Sequence, residues 1–496
     1  VDGRVRSVKP IREISQRNFA MSVPQDLRDR FVAAGQEHVF RFLDAGKVPA
    51  EQVPAFIAQL EGLDLEYVFK SYRRAVEDAD SLKHKDALSP PDEFASVKDT
   101  PAEEVAAWDA AGLEAVRKGE VAACILAGGQ GTRLGFDGPK GAYDIGLLSR
   151  KPLFQLFAER LRRLASLAAI EGSAPTIPFL VMTSPGNHDF IVSFFADHGY
   201  FGLAASAVWF FVQGTMPCLT PEGKIILESA GTVATNPDGN GGFYPALHNS
   251  GCLARLQSEG VRYLHVFSVD NAVCRPADPR FVGYFAAREA DCGNKCVWKV
   301  SPEERVGVMA KRDGRPCVVE YTEIDEERMN LRDASGRLVY GAGNICNHLF
   351  SVAFLAEVVI PGLHTLFHLA HKKIPHADDS GVTVQPGGNN GLKLEAFIFD
   401  TFPMSRKMAI LETLREEEFS PVKNAPGAAT DSPDTARAIM TAQATRWVVA
   451  AGGTISGDDD ALLEVSPLLS LAGEGLEERV RGQTITVPCY LDVLET

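Results

Sequence analysis

Apolar residues recur along the first part of the chain at the three- and four-residue intervals of helices buried on one side. Between 24 and 45, Leu27, Phe31, Val39 and Leu43 predict one helix, with Gly46 where a C-cap would fall. The same spacing predicts helices over 53–63 and 65–76, and Ser89-Pro90-Pro91-Asp92 reads as a linker. Residues 1–116 are therefore expected to form a helical amino-terminal lobe. The pattern changes at Val121. Residues 121–126 are wholly apolar and run into glycines, as in a strand buried on both faces. Similar runs at 178–182, 207–212 and 263–269 alternate with helical stretches such as 152–167 and 246–258. Strand-like segments follow at 296–300, 318–324 and 345–350. This alternation predicts an α/β chain built on a mostly parallel, Rossmann-like sheet, with ligands beyond the carboxyl ends of its strands. The central domain is read as 117–405. A small carboxyl-terminal lobe is read as 406–496, loose over 424–434 and ending in strand-like alternation over 484–493.

With 496 residues, 45% hydrophobic and 23% charged, the composition is that of a globular protein of about three domains, or one large domain with lobes. A net charge of −15 argues against nucleic-acid or anionic-membrane partners, which call for a basic excess. The nine cysteines include no C-x-x-C pair, so neither a zinc site nor a thioredoxin-like motif is supported. Their odd number suits a reducing compartment. No apolar run reaches the ~20 residues of a membrane span, and no secretory signal is present, so a cytoplasmic protein is expected. Residues 1–20 are polar, with Arg4, Arg6, Lys9, Arg12 and Arg17 ahead of Met21. They read as an extension, the other reading being a basic targeting arm.

The chemistry concentrates in Leu126-Ala127-Gly128-Gly129-Gln130-Gly131-Thr132-Arg133-Leu134-Gly135, followed by Pro139-Lys140. Glycines at a strand end let backbone N–H groups approach a phosphate. The dinucleotide fingerprint fails because Leu134 stands where its third glycine belongs, and no Gly-Lys-Ser/Thr completes a P-loop. What remains is a Gly-Gly-x-Gly-Thr-Arg turn with Arg133 and Lys140 as two cations beside it. Such a pair suits reaction at phosphorus, where charge grows on non-bridging oxygens. Asp270 ends an apolar strand, a position suited to a metal ion over phosphates; capping a helix is the other role open to Asp270-Asn271. His188, His364, His368 and His371 accompany no metalloprotease motif and read as structural, the last three at helical spacing.

The loop resembles the signature of nucleotide-sugar pyrophosphorylases, a nucleotidyltransferase group. Further blocks narrow the likeness to the eukaryotic-type UDP-N-acetylglucosamine pyrophosphorylase family. These include Gly141-Ala142-Tyr143-Asp144, Pro237-Asp238-Gly239-Asn240-Gly241-Gly242, Val269-Asp270-Asn271, Gly343-Asn344-Ile345, Asn390-Gly391-Leu392-Lys393 and Phe419-Ser420-Pro421-Val422-Lys423-Asn424. The likeness spans nearly the whole chain, from Ala34-Gly35-Gln36 to Ala451-Gly452-Gly453.

The resemblance implies that the Leu126, Ala127, Gly128 and Gly129 backbone meets the nucleotide, with Arg133 and Lys140 as catalytic cations around the triphosphate. It implies that Gln213 bonds uracil, Gly239 packs beside the base, Lys393 meets the nucleotide phosphates and Asp270 lies beside Mg²⁺, for which Mn²⁺ could substitute. A Gln amide offers both the donor and the acceptor that uracil's imide edge needs. For the sugar the resemblance implies Asn240, Gly307, Glu320, Tyr321 and Asn344, with Phe397 and Phe399 flanking an acetamido methyl and Lys423 on the sugar phosphate. Alternation at strand spacing equally allows Phe397 and Phe399 to be core residues. The implied reaction joins UTP to an N-acetylhexosamine 1-phosphate, foremost N-acetylglucosamine 1-phosphate, in a monomer or weak homodimer. Other sugar 1-phosphates (N-acetylgalactosamine, glucose, galactose) and a purely binding role are the rival readings.

Overall fold

The computed structural model describes residues 23–81, 88–363, 367–458 and 460–493, without the side chains of 78–81. The 1–20 segment therefore lies outside the described residues. Two compact units divide the chain. The first takes in the residues up to Tyr72 together with Pro217–Asn236 and Ala370–Lys393; the second is Arg73–Met216, Pro237–Leu369 and Leu394 onward.

In the first unit, helices Gln25–Ala33 and Val53–Glu61 bury Leu27, Phe31, Phe56 and Leu60. The helix predicted over 24–45 is broken: Gly35 turns at φ +66°, and a short 3-10 turn, Glu37–Phe40, leads into Arg41–Asp44. Buried Gln36 then behaves like a strand residue. Its amide donates to the Gly223 carbonyl at 3.1 Å and accepts from the Ile225 N–H at 2.9 Å, satisfying backbone of the 223–225 segment. Gln59 makes the same double bond to Val233.

The second unit is built on an eleven-stranded sheet: β1 (Leu88–Ser89), β2 (Ala95–Ser96), β3 (Val121–Leu126), β4 (Phe179–Thr183), β5 (Val208–Val212), β6 (Tyr263–Ser268), β7 (Cys292–Trp298), β8 (Val308–Arg312), β9 (Arg315–Val319), β10 (Ala342–Ser351) and β11 (Met408–Glu412). The main order is β2-β11-β7-β10-β6-β3-β4-β5, with β8 pairing β1, β9 and β10. Along that order only β10 is antiparallel to its neighbours β6 and β7. The expected mostly parallel α/β sheet is present. The apolar run of β3 follows from burial on both faces. Val121, Ala123 and Ile125 enter one core; Ala122, Cys124 and Leu126 enter the other.

The first core is covered by helices Leu153–Leu167, Ala102–Arg117 and Pro279–Ala287. The last two pack closely because a Cβ on Gly112 would overlap the Pro279 carbonyl and one on Gly283 that of Trp108. The second core is covered by Phe243–Asn249 and Cys252–Ser258. The single helix predicted over 246–258 is thus two, split by Gly251 at φ +79°. The strand predicted over 318–324 stops at Val319. Toward the carboxyl end, helix Pro433–Ala450 packs on two parallel strand pairs, Thr454–Ser456 with Thr484–Thr486 and Leu463–Val465 with Cys489–Leu491. The alternation over 484–493 is therefore two short strands. Among the described residues no helix is long and apolar enough to cross a membrane, and all nine cysteines are free.

Candidate active site

β3 and β6 are parallel neighbours, Leu126 facing Ser268, so their carboxyl ends open side by side. From β3 the chain enters the glycine loop through buried Leu126 and Ala127. Asn187 fixes this entry: its amide donates to the Ala127 carbonyl at 3.1 Å and accepts from the Ser184 N–H at 2.8 Å. Beyond the half-buried Gly128 and exposed Gly129 the loop folds on itself, the Gly131 N–H donating to the Gly138 carbonyl at 2.8 Å and the Lys140 N–H to that of Gly129 at 3.2 Å. The exposed Arg133 and half-buried Lys140 thus flank one glycine turn.

From β6 comes Asp270, half-buried. Burial pulls the Lys140 ammonium below its usual range, Asp270 acts against that, and Lys423 and Arg133 push the same way as burial. Asp270, Lys423 and Arg133 are therefore all neighbours of Lys140. Lys423 arrives from far along the chain by a backbone clasp. Asn271 accepts from the Ser420 N–H at 2.9 Å and donates to the Glu418 carbonyl at 2.7 Å, and the Ala272 N–H donates to Ser420 at 3.1 Å. Asn271 is buried. The Asp270-Asn271 pair starts no helix; Asn271 instead holds the end of the short helix Arg415–Glu418 and the segment through Val422 that follows it.

Gln213 follows β5 and is buried, its N–H donating to the Thr183 carbonyl at 2.9 Å. The absence of a Cβ on Gly128 leaves room for the Gln213 side-chain oxygen, which a Cβ would overlap. Gly239, at φ +91°, lies so close to Ala396 that a Cβ would overlap the Ala396 carbonyl. The Ala396 N–H donates to Asp238 at 2.7 Å and the Gly241 N–H to Ala396 at 2.9 Å. Asp238 is buried between Gly214 and Gly242, and that burial lifts its carboxyl to about 6.

Glu320, just after β9, faces Gly307, where a Cβ would come within 2.9 Å of its carboxylate oxygen. The Asn344 N–H donates to the Gly307 carbonyl at 2.8 Å, so Gly307, Glu320 and Asn344 form one group. Burial raises the Glu320 carboxyl, Glu323 adds to this, and His368 and Lys423 oppose it, which ties the group to the cation cluster. Asn240 spends its side-chain oxygen on the Ile398 N–H at 2.9 Å. Phe397 and Phe399 are not on a strand. They open the 3-10 turn Ile398–Met404, where the Asp400 carboxylate accepts the Phe397 N–H at 2.7 Å, and their rings stack 5.0 Å apart. Phe399 is buried in the second core, Phe397 half-buried against it. Tyr321 is exposed. Lys393 belongs to the first unit, where its ammonium donates to Asn236 at 2.8 Å.

His368 and His371 lie on the strand His368–Lys372, not on a helix, and His364 lies outside the described residues. His188 begins a helix and meets the Thr183 hydroxyl at 2.9 Å. Among the described residues no group of three His, Cys, Asp or Glu could hold a metal unaided. An open hollow of about 670 Å³ lies at the other end of β6, around Arg262, Tyr263, Glu289 and Glu357, and contains none of these residues.

A glycine loop and a carboxylate at the carboxyl ends of adjacent parallel strands, with Arg133 and Lys140 beside them, lie where open α/β sheets take their ligands. Similarity to known proteins shows the family. Residues 66–479 match the UDPGP family, described as UTP–glucose-1-phosphate uridylyltransferase, and the chain belongs to that family. It is 42% identical to the human UDP-N-acetylhexosamine pyrophosphorylase-like protein 1, over 95% of this chain and 98% of that one. Its identity to UDP-N-acetylglucosamine diphosphorylase 2 of Arabidopsis thaliana is 41%, over 95% and 94%. The crystal structure of the uridine diphosphate N-acetylglucosamine pyrophosphorylase of Trypanosoma brucei, in complex with an inhibitor, is similar with a TM-score of 0.81 and 32% identity, covering 96% and 99% of the two chains.

Proposed function

We propose that the protein is a uridylyltransferase that joins UTP to N-acetylglucosamine 1-phosphate, giving UDP-N-acetylglucosamine and pyrophosphate. The observation that carries this is the gathering of Asp270, Lys423 and Arg133 about Lys140 beside the glycine loop. A phosphate oxygen of the sugar 1-phosphate attacks the α-phosphorus of UTP in line. The bond from that phosphorus to the bridging oxygen breaks, and pyrophosphate leaves with the electron pair. The nucleophile is already anionic, so no general base is needed; holding the two phosphates together and neutralising their charge lowers the barrier. The Gly128–Gly129 backbone and Lys140 hold the triphosphate, Arg133 meets the charge that grows on the α-phosphate, and Lys423 brings the sugar phosphate alongside. Gln213 and Gly239 read uracil, while Glu320, Asn344, Asn240 and the Phe397/Phe399 pair face the sugar.

Asp270 supplies one carboxylate, which fits Mg²⁺, an ion that takes one or two protein carboxylates and completes its shell with substrate phosphates and water. Mg²⁺ there, or Mn²⁺ in its place, would supply positive charge over the phosphates. The protein acts in the cytoplasm as a monomer or weak homodimer, a reading supported by its net charge of −15 and its free cysteines. Pyrophosphate release from UTP with a panel of sugar 1-phosphates tests the reading. N-acetylglucosamine 1-phosphate should give the highest kcat/KM; faster turnover of glucose or galactose 1-phosphate would reassign the sugar, and none with any sugar would leave a binding protein.

A further inference from the structure

His368 stands at the start of the strand His368–Lys372, and its Nε2 lies 3.0 Å from a carboxylate oxygen of Asp400. The other oxygen of Asp400 accepts the Phe397 N–H at 2.7 Å, so one carboxylate grips both the imidazole and the backbone of the turn that carries Phe397. The imidazole also packs against the Phe397 ring, centroids 4.6 Å apart, and Phe397 in turn stacks on Phe399. Histidine, carboxylate and the two aromatic rings are thus one assembly. The charged groups facing the imidazole are Asp400, Glu323 and Glu320, all acidic. Burial alone would favour the neutral ring, but the bond to Asp400 and the three carboxylates outweigh it and lift the imidazole above its ordinary value. In return His368 opposes the rise that burial and Glu323 impose on Glu320.

We propose that His368 is a positioning residue of the sugar subsite, where with Asp400 it holds Phe397 over the sugar. This rests on the reading of Phe397 as a sugar contact. His368 itself touches no reacting atom. It acts through Asp400 and the Phe397 ring, so its effect is confined to the sugar. Loss of the imidazolium charge as pH rises weakens its bond to Asp400 and so loosens the seat of Phe397. The uracil and triphosphate contacts come from other elements.

The test is steady-state pyrophosphate release by the full chain between pH 7 and 9, a window above the second phosphate ionisation near 6, so the sugar phosphate stays a dianion throughout. For the unmodified enzyme the KM for N-acetylglucosamine 1-phosphate should rise with pH more steeply than the KM for UTP. His368→Gln cannot be charged. It should raise the sugar-phosphate KM roughly fivefold or more at pH 7 and flatten its pH dependence, with kcat and the UTP KM changing less than about twofold. Asp400→Asn keeps an acceptor for the Phe397 N–H and should reproduce the flattened profile in part. A sugar-phosphate KM that climbs no faster than that of UTP in the unmodified enzyme overturns the inference. So does a His368→Gln enzyme that keeps the pH profile of the unmodified one, or that loses affinity for UTP and sugar phosphate alike, as a merely structural residue would. An unmodified chain that releases no pyrophosphate from UTP and N-acetylglucosamine 1-phosphate overturns the proposed function, and this inference with it.

Discussion

The Val422 N–H donates to the Asp270 carbonyl at 2.9 Å, so the residue at the end of β6 that offers a carboxylate also anchors the backbone beside Lys423. Asn271 makes the companion bonds to Glu418 and Ser420. Asn271→Ala would leave a buried N–H and a buried carbonyl unpaired, at a cost of about 1–3 kcal/mol each. The expected result is a lower melting temperature together with a higher KM for the sugar phosphate, because the segment that ends in Lys423 loses its seat. Lys423→Ala should raise the same KM without the loss of stability. An Asn271→Ala protein with normal stability and normal kinetics would show that the clasp is dispensable.

Two glycines make opposite predictions. A Cβ on Gly128 would collide with the movable end of the Gln213 side chain, whereas one on Gly112 would collide with the Pro279 backbone. Gly128→Ala should keep the fold, displace the Gln213 amide and raise the UTP KM about tenfold or more, with the sugar-phosphate KM little changed. Gly112→Ala should spare the kinetics of the folded protein but cost about 1–3 kcal/mol, by forcing apart helices Ala102–Arg117 and Pro279–Ala287. Thermal melts and UTP kinetics on both variants separate the two cases. Equal losses of stability would show that the loop, too, is packed rigidly around Gly128.

Arg133 is exposed beside the loop, and among the described residues no ion pair holds it. It is free to meet charge that appears only as the reaction proceeds. Arg133→Ala should lower kcat on the order of 100-fold while changing KM much less. Near-normal kcat with weakened UTP binding would make it a binding residue instead. Excess EDTA should abolish turnover of the unmodified enzyme and Mg²⁺ or Mn²⁺ should restore it; full turnover in the chelator would remove the metal from the reaction.

The central sheet was legible because strands buried on both faces leave almost purely apolar runs, and β3, β4, β5 and β6 all carry that mark. The errors have local causes. Gly35 and Gly251 break helices at positive φ, yet the apolar spacing continues across both and reads as a single helix. Phe397 and Phe399 alternate as on a strand, but Asp400 captures the Phe397 N–H and winds the segment into a 3-10 turn. His364, His368 and His371 keep helical spacing by coincidence, the last two lying on a strand. The glycine loop could be read because its requirements fall within fifteen consecutive residues. Asn271 could not, since its partner Glu418 lies 147 residues away. His368 likewise gains meaning only from Asp400 and Phe397, brought to it by the fold. Nor does linear order reveal that Pro217–Asn236 and Ala370–Lys393 return to the amino-terminal helices.

Beneath the site, His265 on β6 is fully buried and both of its ring nitrogens are engaged. The Ala277 N–H donates to Nδ1 at 2.8 Å, so Nδ1 carries no proton, and Nε2–H donates to the Asn347 side-chain oxygen at 2.6 Å. Burial pulls this imidazole down to about 4, against an ordinary value of 6.5, with nearby Lys295 acting in the same direction. The unfolded chain therefore takes up the proton before the folded one does. Stability should fall as pH drops from about 6.5 to about 4, by on the order of 3 kcal/mol from this residue alone. All four tryptophans (Trp108, Trp209, Trp298 and Trp447) lie in the second unit, so their fluorescence reports its unfolding. Denaturant midpoints measured this way at pH 7.5, 6, 5 and 4.5 should decline for the unmodified protein. His265→Gln lacks the titrating ring; it should be less stable at pH 7.5 but lose less on acidification. Parallel curves for the two proteins would mean that the acid sensitivity arises elsewhere.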